Sequence, residues 1–167
     1  MKAMEMIVGG FRKMAEHGKE YRMELLDDFL TASNLAGIAF GNAGTGAVHA
    51  MSYPLSGVYH VTHGEANYQF LVAVFETYQQ LNPDGKIRQL NHFLGGLLGC
   101  DESLAYQELE KLLNVIIARR QLREYGMKEG EIEEFAKSVE KSQTRLLNQS
   151  YVKFSWQQMA EIYRRLY

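Results

Sequence analysis

The sequence predicts an all-α protein. Apolar residues recur at helical spacing along most of the chain, and no stretch of useful length alternates between apolar and polar residues as a strand would. The 167 residues include only two prolines, and the abundance of Leu, Ala, Glu, Lys and Met favours helix over strand. A chain of this length suits one domain, so we expect a single multi-helical domain over residues 1–167.

The first two helices follow from apolar spacing. Residues 1–17 form the first, and Gly18 is a plausible stop because glycine commonly ends helices. Residues 19–40 form the second. Its apolar stripe consists of Leu25, Phe29, Ala32 and Ala36, thickened by Leu26 and Leu30.

The third and fourth helices flank a proline-containing turn. The third covers residues 45–53, and we expect Pro54 to end it because proline lacks the N–H of the helical ladder. Thr62 and Glu65 have the spacing of a capping box, which predicts the start of the fourth helix. Residues 82–85 (NPDG) form a strong turn signal that ends it.

The C-terminal half continues in the same way. Residues 87–98 form the fifth helix, Asp101 caps the sixth, and residues 129–147 form another after the stop at Gly126. Ser155 and Gln158 have the spacing of a second capping box and open a last helix that ends near residue 167. The stripe of the sixth helix consists of Leu109, Leu112, Leu113, Ile116 and Ile117.

Charge and cysteine content exclude several classes of protein. The net charge is −2, so no broad electrostatic footprint for nucleic acid or an anionic membrane is expected. Cys100 is the only cysteine, which excludes an internal disulfide and leaves it as an apolar filler or a reactive thiol. Residues 1–10 lack the pattern of an export signal, so a cytoplasmic location is expected.

A long stretch of the chain carries no formal charge. No Asp, Glu, Lys or Arg occurs from residue 29 to residue 64. Its histidines, asparagines, glycines and Pro54 interrupt every window of about 20 residues, so it does not predict a membrane span. We expect this stretch to be buried within protein, with polar groups that must find partners there. Such a segment is typical of the lining of a site.

Two histidines in this stretch are candidate metal ligands. His49 lies on the third helix and His63 begins the fourth, so the turn between them can bring both rings to one point, as a metal site requires. The helix dipole and burial both disfavour protonation at His63. The spacing alone also fits two buried histidines bonded to backbone carbonyls, and His60 is a competing ligand. A two-histidine hydrolase would need Glu65 as a free carboxylate, whereas the capping box already engages it.

The glycines before His49 have a structural interpretation. Residues 41–46 (GNAGTG) lack the order of a dinucleotide-binding loop and no strand precedes them. They predict a tight passage between two helices, where glycine lets the backbone run close to a neighbour.

Residues 39–55 (AFGNAGTGAVHAMSYPL) and 59–67 (YHVTHGEAN) resemble the second signature of iron-containing alcohol dehydrogenases. The family pattern is a Val-His-small-Met/Leu run, then Pro-Leu-Gly, then His-Gly-x-x-Asn, with the histidine spacing found here. Residues 125–129 (YGMKE) and the closing segment 155–167 resemble the family as well. The sequences of residues 52–55 and 63–67 are most similar to those of the NAD-dependent members that act on 4-hydroxybutyrate.

This resemblance implies a fold and a cofactor set. Family enzymes have an N-terminal Rossmann-like half that binds NAD and a C-terminal helical half that binds Fe²⁺ or Zn²⁺ through one Asp and three His. Two of those histidines correspond to His49 and His63. The other two ligands come from an Asp-x-x-x-His helix that is absent here, as is the glycine-rich nucleotide loop. The chain is therefore expected to be a truncated, metal-binding C-terminal domain that is inactive alone.

The resemblance also implies a reaction on small alcohols and aldehydes. Many family members have a histidine where Tyr53 stands, and that histidine is often assigned to proton relay, so Tyr53 is a candidate catalytic residue. An alternative is a catalytically inactive helical remnant that associates with itself or with the missing N-terminal half. The methionine-rich first helix is then a candidate contact; its methionines are Met1, Met4, Met6 and Met14.

Overall fold

The computed structural model describes all 167 residues, and every regular element in it is a helix. The predicted all-α class is confirmed. The α-helices are α1 (Lys2–His17), α2 (Leu26–Ala43), α3 (Ala47–Tyr59), α4 (His63–Leu81), α5 (Lys86–Leu98), α6 (Ala105–Ile116), α7 (Glu131–Ser142), α8 (Thr144–Asn148) and α9 (Trp156–Leu166). The 3-10 helices are Lys19–Leu25, Glu102–Leu104 and Leu122–Tyr125. None of the helices combines the length and the apolar character needed to cross a bilayer.

The chain folds into two compact units. One comprises Met1–Ala43 with Arg88–Ala118, and the other comprises Gly44–Ile87 with Arg119–Tyr167. Whether a single metal-binding domain describes the chain stays a prediction.

In the first unit, α1 packs against α2 and α6. Gly10 makes the contact with α2 possible, because an added Cβ would lie 2.6 Å from the ring of Phe29. Within the unit, the buried Tyr106 hydroxyl donates to the side chain of Asn91. Its buried apolar side chains include Val8, Met14, Leu25, Ala32, Leu94 and Ala105.

The apolar face of α2 is not buried as the sequence predicted. Leu25 and Ala32 are buried, but Leu30 is 72% exposed and Ile38 is 60% exposed. The charge-free stretch that begins at Phe29 is therefore largely open to solvent along α2, because nothing in the first unit covers this side of the helix. The predicted stripe on α6 is likewise only partly buried.

In the second unit, α3 packs on α4, and α9 packs on both α4 and α7. Tyr163 is the largest fully buried side chain. Its ring meets Phe70 edge to face at 5.2 Å, and its hydroxyl donates to the carbonyl of Met51 at 2.6 Å. This bond ties the last helix to the middle of α3, and burial raises the pKa of the Tyr163 phenol.

Several predicted helix boundaries are confirmed. Asp101 accepts a hydrogen bond from the Ser103 backbone N–H at 2.9 Å, although it caps the short Glu102–Leu104 turn rather than α6 itself. The box predicted at Ser155 is present with both of its hydrogen bonds. Gly126 ends its segment at φ +100°.

Other boundaries were wrong. Pro54 lies inside α3, which continues to Tyr59; burial of Leu55 and the packing of Tyr59 on Phe135 favour continuation despite the lost backbone donor. The predicted helix 19–40 is a 3-10 segment followed by α2, which extends to residue 43.

The predicted helix 129–147 divides into α7 and α8 at Gln143. The Ser142 hydroxyl donates back to the Ser138 carbonyl at 2.7 Å, and such bonds bend helices.

Removing the Tyr163 hydroxyl tests the link between α9 and α3. We expect Tyr163→Phe to lower the free energy of unfolding by about 1 kcal/mol, the typical value of one internal hydrogen bond. Tyr167→Phe, which removes a hydroxyl from a half-buried residue of the same segment, is the control and should change it by less than about 0.5 kcal/mol. Urea unfolding followed by the fluorescence of Trp156, the single tryptophan, measures both. Equal effects would contradict a specific role for this bond.

Candidate metal centre

The connection between α3 and α4 brings His49 and His63 together. His49 lies in the first turn of α3, and His63 is the first residue of α4. His60 ends α3 in the left-handed conformation, at φ 55°, and the Val61 backbone N–H donates to the Leu55 carbonyl at 3.5 Å. The chain thus turns back along α3, and the two ring centroids lie 5.2 Å apart with their planes at 55°.

This separation fits a shared cation. An imidazole nitrogen lies about 2.1 Å from a bound first-row cation. Two imidazoles that bind one tetrahedral ion in their ring planes therefore have centroids roughly 5.3 Å apart. The measured 5.2 Å agrees with that value. No group of three or more His, Cys, Asp or Glu side chains converges anywhere in the chain, so the pair offers two of the four ligands of a tetrahedral site.

The local electrostatics favour neutral imidazole at His49, which is the form that binds metals. Burial lowers the pKa of His49 below its ordinary value, and repulsion from His63 lowers it further. His49 is half-buried, whereas His63 is exposed, so the expected burial of His63 was wrong. The exposure arises because His63 is the first residue of its helix.

A buried hydroxyl connects the two helices that carry these histidines. Ser52, fully buried on α3, lies 2.6 Å from the Asn67 amide and 3.0 Å from the His49 carbonyl oxygen. The same amide lies 3.0 Å from Nε2 of His63. The sequence interpretation missed Ser52 and Asn67 as site residues, although Asn67 stands one helical turn after His63 and was therefore placed to reach it.

Tyr53 lies beside the pair. Its ring plane is inclined by 30° to that of His63, with centroids 6.3 Å apart, and the residue is 38% exposed. Tyr53 is thus near enough to share a substrate with the two histidines, but whether it takes part in catalysis stays a prediction.

The capping box predicted at Thr62 and Glu65 does not form, since no side chain caps the start of α4. Glu65 instead accepts a hydrogen bond from the Tyr125 hydroxyl at 2.8 Å, and the buried Gln69 donates to the same hydroxyl at 3.0 Å. Burial first, and then the bond to Glu65, raise the pKa of Tyr125. These hydrogen bonds connect Leu122–Tyr125 to α4. Glu65 is thus engaged, but by Tyr125 and not by the cap that its sequence spacing predicted.

The remaining candidates lie apart from the pair. His60 is exposed at the helix end, His17 has its ring 4.8 Å from that of Tyr21, and Nδ1 of His92 lies 3.3 Å from Glu102. Cys100 is a half-exposed free thiol.

The glycine segment before α3 forms the tight passage that the sequence predicted. Gly44 has φ +78°, and a Cβ there would meet the Gln149 side chain at 2.3 Å. A Cβ on Gly46 would lie 3.2 Å from the Ser150 hydroxyl.

Comparisons with known proteins identify the family of the chain. The model of the Fe-containing alcohol dehydrogenase family, C-terminal, matches residues 1–167. The chain is 54% identical over 167 residues to the 4-hydroxybutyrate dehydrogenase of Clostridium kluyveri, covering all of this chain and 45% of that protein. It is 30% identical over 172 residues to the 1,3-propanediol dehydrogenase of Citrobacter freundii, covering 43% of that protein.

Solved structures show the same fold. An archaeal halo-thermophilic alcohol dehydrogenase from a Red Sea brine pool superposes with a TM-score of 0.84 at 24% identity, over 99% of this chain and 43% of that one. A 1,3-propanediol oxidoreductase superposes with a TM-score of 0.79 at 25% identity, over 100% of this chain and 44% of that one. The chain spans less than half the length of these relatives. The family match over its full length shows that the chain belongs to the Fe-containing alcohol dehydrogenase family, of which it forms the C-terminal, all-helical part.

Proposed function

We propose that this chain is the metal-binding C-terminal domain of an NAD-dependent alcohol dehydrogenase. The observation that carries the proposal is the pair of imidazoles on consecutive helices, with centroids 5.2 Å apart. His49 and His63 supply two ligands to Fe²⁺ or Zn²⁺. Two further ligands and the site for NAD come from residues outside these 167, since no third His, Cys, Asp or Glu joins the pair.

The chain's own residues hold the site in place. The helix crossing sets the distance between the rings, and partial burial lowers the pKa of His49, which favours the neutral form that binds metals. A divalent cation held by His49 and His63 would supply Lewis-acid chemistry toward a substrate oxygen. Tyr53, partly exposed beside His63, orients the substrate or donates a proton to its oxygen through the phenol. NAD, held by residues outside these 167, would supply the hydride-transfer chemistry.

The substrate that we propose is 4-hydroxybutyrate, interconverted with succinate semialdehyde. Its support is the 54% identity to the 4-hydroxybutyrate dehydrogenase of Clostridium kluyveri, compared with 30% to a 1,3-propanediol dehydrogenase. The site residues themselves support only the broader class of small alcohols and aldehydes.

Metal binding by the chain is directly testable. We expect Zn²⁺ to bind weakly, because two imidazoles leave half of a tetrahedral set to water. His49→Ala and His63→Ala should each weaken binding by at least about tenfold, the lower end of what loss of even an outer-shell partner costs. His60→Ala is the control, since His60 lies in the same segment but outside the pair, and should leave binding unchanged. Isothermal titration calorimetry measures the Zn²⁺ affinity of the unchanged chain and of the three variants. Weaker binding by His60→Ala alone would place the site at His60 and contradict the proposal.

Measurements of NAD-linked alcohol oxidation distinguish the isolated chain from the complete enzyme. This chain alone should oxidise no 4-hydroxybutyrate with NAD, whether Fe²⁺ or Zn²⁺ is added, because under this proposal the site for NAD lies outside its 167 residues. A fusion to the N-terminal portion of the Clostridium kluyveri relative should restore NADH formation, followed by absorbance. Tyr53→Phe in that fusion should lower kcat by about 100-fold if the hydroxyl transfers a proton. Turnover by the isolated chain would contradict the proposal.

A non-catalytic association module is the second candidate, and the open face of α2 favours it. Leu26, Leu30, Ile38 and Phe40 are all more than half exposed, and such apolar surface commonly marks a contact. The methionine-rich α1 fits this role less well, because Met14 is buried.

Light scattering measures the association state of the metal-free chain. If the chain self-associates through α2, we expect particles larger than a 19.1 kDa monomer. The double variant Leu30→Glu and Ile38→Glu should then be monomeric, because it places charge in the contact. A clean monomer at high concentration would exclude this form of the second candidate.

A further inference from the structure

The turn between α3 and α4 is held only weakly by its own bonds. His60, where α3 ends, has the left-handed conformation, which is costly for a residue other than glycine. The Val61 backbone N–H shares the Leu55 carbonyl with that of His60 and lies 3.5 Å from it, which is long for a hydrogen bond. The bond between Ser52 and Asn67 joins the two helices, but not at their ends. Contacts from outside the turn must therefore keep it closed.

Leu122–Glu131, which we call the strap, contacts the turn from both sides. On the side of α4, the Tyr125 hydroxyl donates to the Glu65 carboxylate at 2.8 Å, two residues after the helix begins. On the side of α3, the hydroxyl of Tyr59, the last residue of the helix, donates to the carboxylate of Glu131. The strap thus joins the end of one helix to the start of the next.

The middle of the strap is shaped so that both bonds form together. Gly126 has φ +100°, a conformation that favours glycine, and a Cβ there would lie 3.6 Å from the Tyr59 ring. The residue that follows Tyr125 therefore already lies against α3. Beyond it, the Lys128 backbone N–H donates to Glu131 at 2.7 Å, which fixes the carboxylate that Tyr59 binds.

Both phenols keep their protons at neutral pH. Burial first, and then the bond to Glu131, raise the pKa of Tyr59 to about 12. Burial and the bond to Glu65 likewise raise the pKa of Tyr125. A neutral phenol donates to a carboxylate, and hydrogen bonds to charged groups are stronger than those between neutral groups.

We propose that the strap is a positioning element for the histidine pair, and that Tyr59 and Tyr125 are the residues through which it acts. By holding both sides of the turn, it keeps the rings of His49 and His63 at the 5.2 Å separation that fits a shared cation. The consequence for metal binding rests on the proposed function of the pair. The hold on the turn is a property of the metal-free chain.

Removal of each phenol hydroxyl tests the hold on the turn. The backbone amides of His60 and Ala66 are hydrogen-bonded on either side of it, and their exchange with deuterium reports its opening. In metal-free protein we expect Tyr59→Phe and Tyr125→Phe each to raise these exchange rates about tenfold, the low end for loss of a hydrogen bond to a charged group. Residue-resolved ¹H–¹⁵N spectra measure the rates.

The matched control is Tyr151→Phe, which removes a hydroxyl that bonds the Asn82 carbonyl at the opposite end of α4. Exchange at the turn should not change in this variant. Glu131→Gln tests the acceptor: it keeps an oxygen for Tyr59, so exchange should rise less than in Tyr59→Phe. Exchange that is equally fast in all of these variants would indicate general destabilisation and overturn the proposal.

Zn²⁺ binding tests the consequence for the histidine pair. We expect the double variant Tyr59→Phe and Tyr125→Phe to bind Zn²⁺ at least about tenfold more weakly than the unchanged chain in titration calorimetry, because loss of outer support costs metal sites this much or more. Tyr151→Phe should change the affinity by less than about twofold, since it acts at a distant site.

Two results with Zn²⁺ would overturn the positioning role. One is an unchanged affinity in the double variant. The other is tighter binding by Tyr125→Phe, which would show that Glu65 becomes a ligand once it is released. If the unchanged chain binds no Zn²⁺, the metal function fails, and the exchange rates alone decide whether the strap holds the turn.

Discussion

The turn at His60 is the constraint on which the site depends. His63 lies fourteen positions after His49, a separation that would span about 21 Å along one continuous helix. The left-handed residue at φ 55° ends α3 and returns the chain along the helix it has just left, so the rings lie 5.2 Å apart. A non-glycine residue in this conformation costs about 1–2 kcal/mol, and the packing of α3 on α4 must offset that cost. The site therefore depends on the stability of the second unit as a whole.

Much of this arrangement was readable in the sequence. The helical class follows from apolar spacing, and Ser155 and Asp101 were identified as caps because their bonds join residues two or three apart. The pairing of His49 with His63 followed from the turn between two helices and from the family signature. Such local rules succeed where the interaction that decides the structure lies within a few residues.

The predictions that failed share a different cause, because the contacts that decide them join residues far apart in the sequence. Pro54 was expected to end α3, but contacts made by Leu55 and Tyr59 with the rest of the unit favour the helix. Glu65 was expected to cap its own helix, but a tyrosine 60 positions away in the sequence binds it. Asn67 was quoted as part of a motif without a role, because its partners Ser52 and His63 become neighbours only in the folded chain. Contacts between residues that are far apart in the sequence outweigh local helix and capping preferences, and a single sequence does not reveal those contacts.

The exposure of His63 has a practical consequence. His63, one of the two proposed ligands, is exposed at the start of α4. Small chelators can therefore reach its imidazole without any opening of the protein. An ion bound at the proposed pair would be held by one half-buried and one exposed imidazole and would exchange with the surrounding solution. If the pair binds a cation as proposed, purification of this chain in citrate or over immobilised nickel would exchange that cation, and the metal content measured afterwards would reflect the buffer.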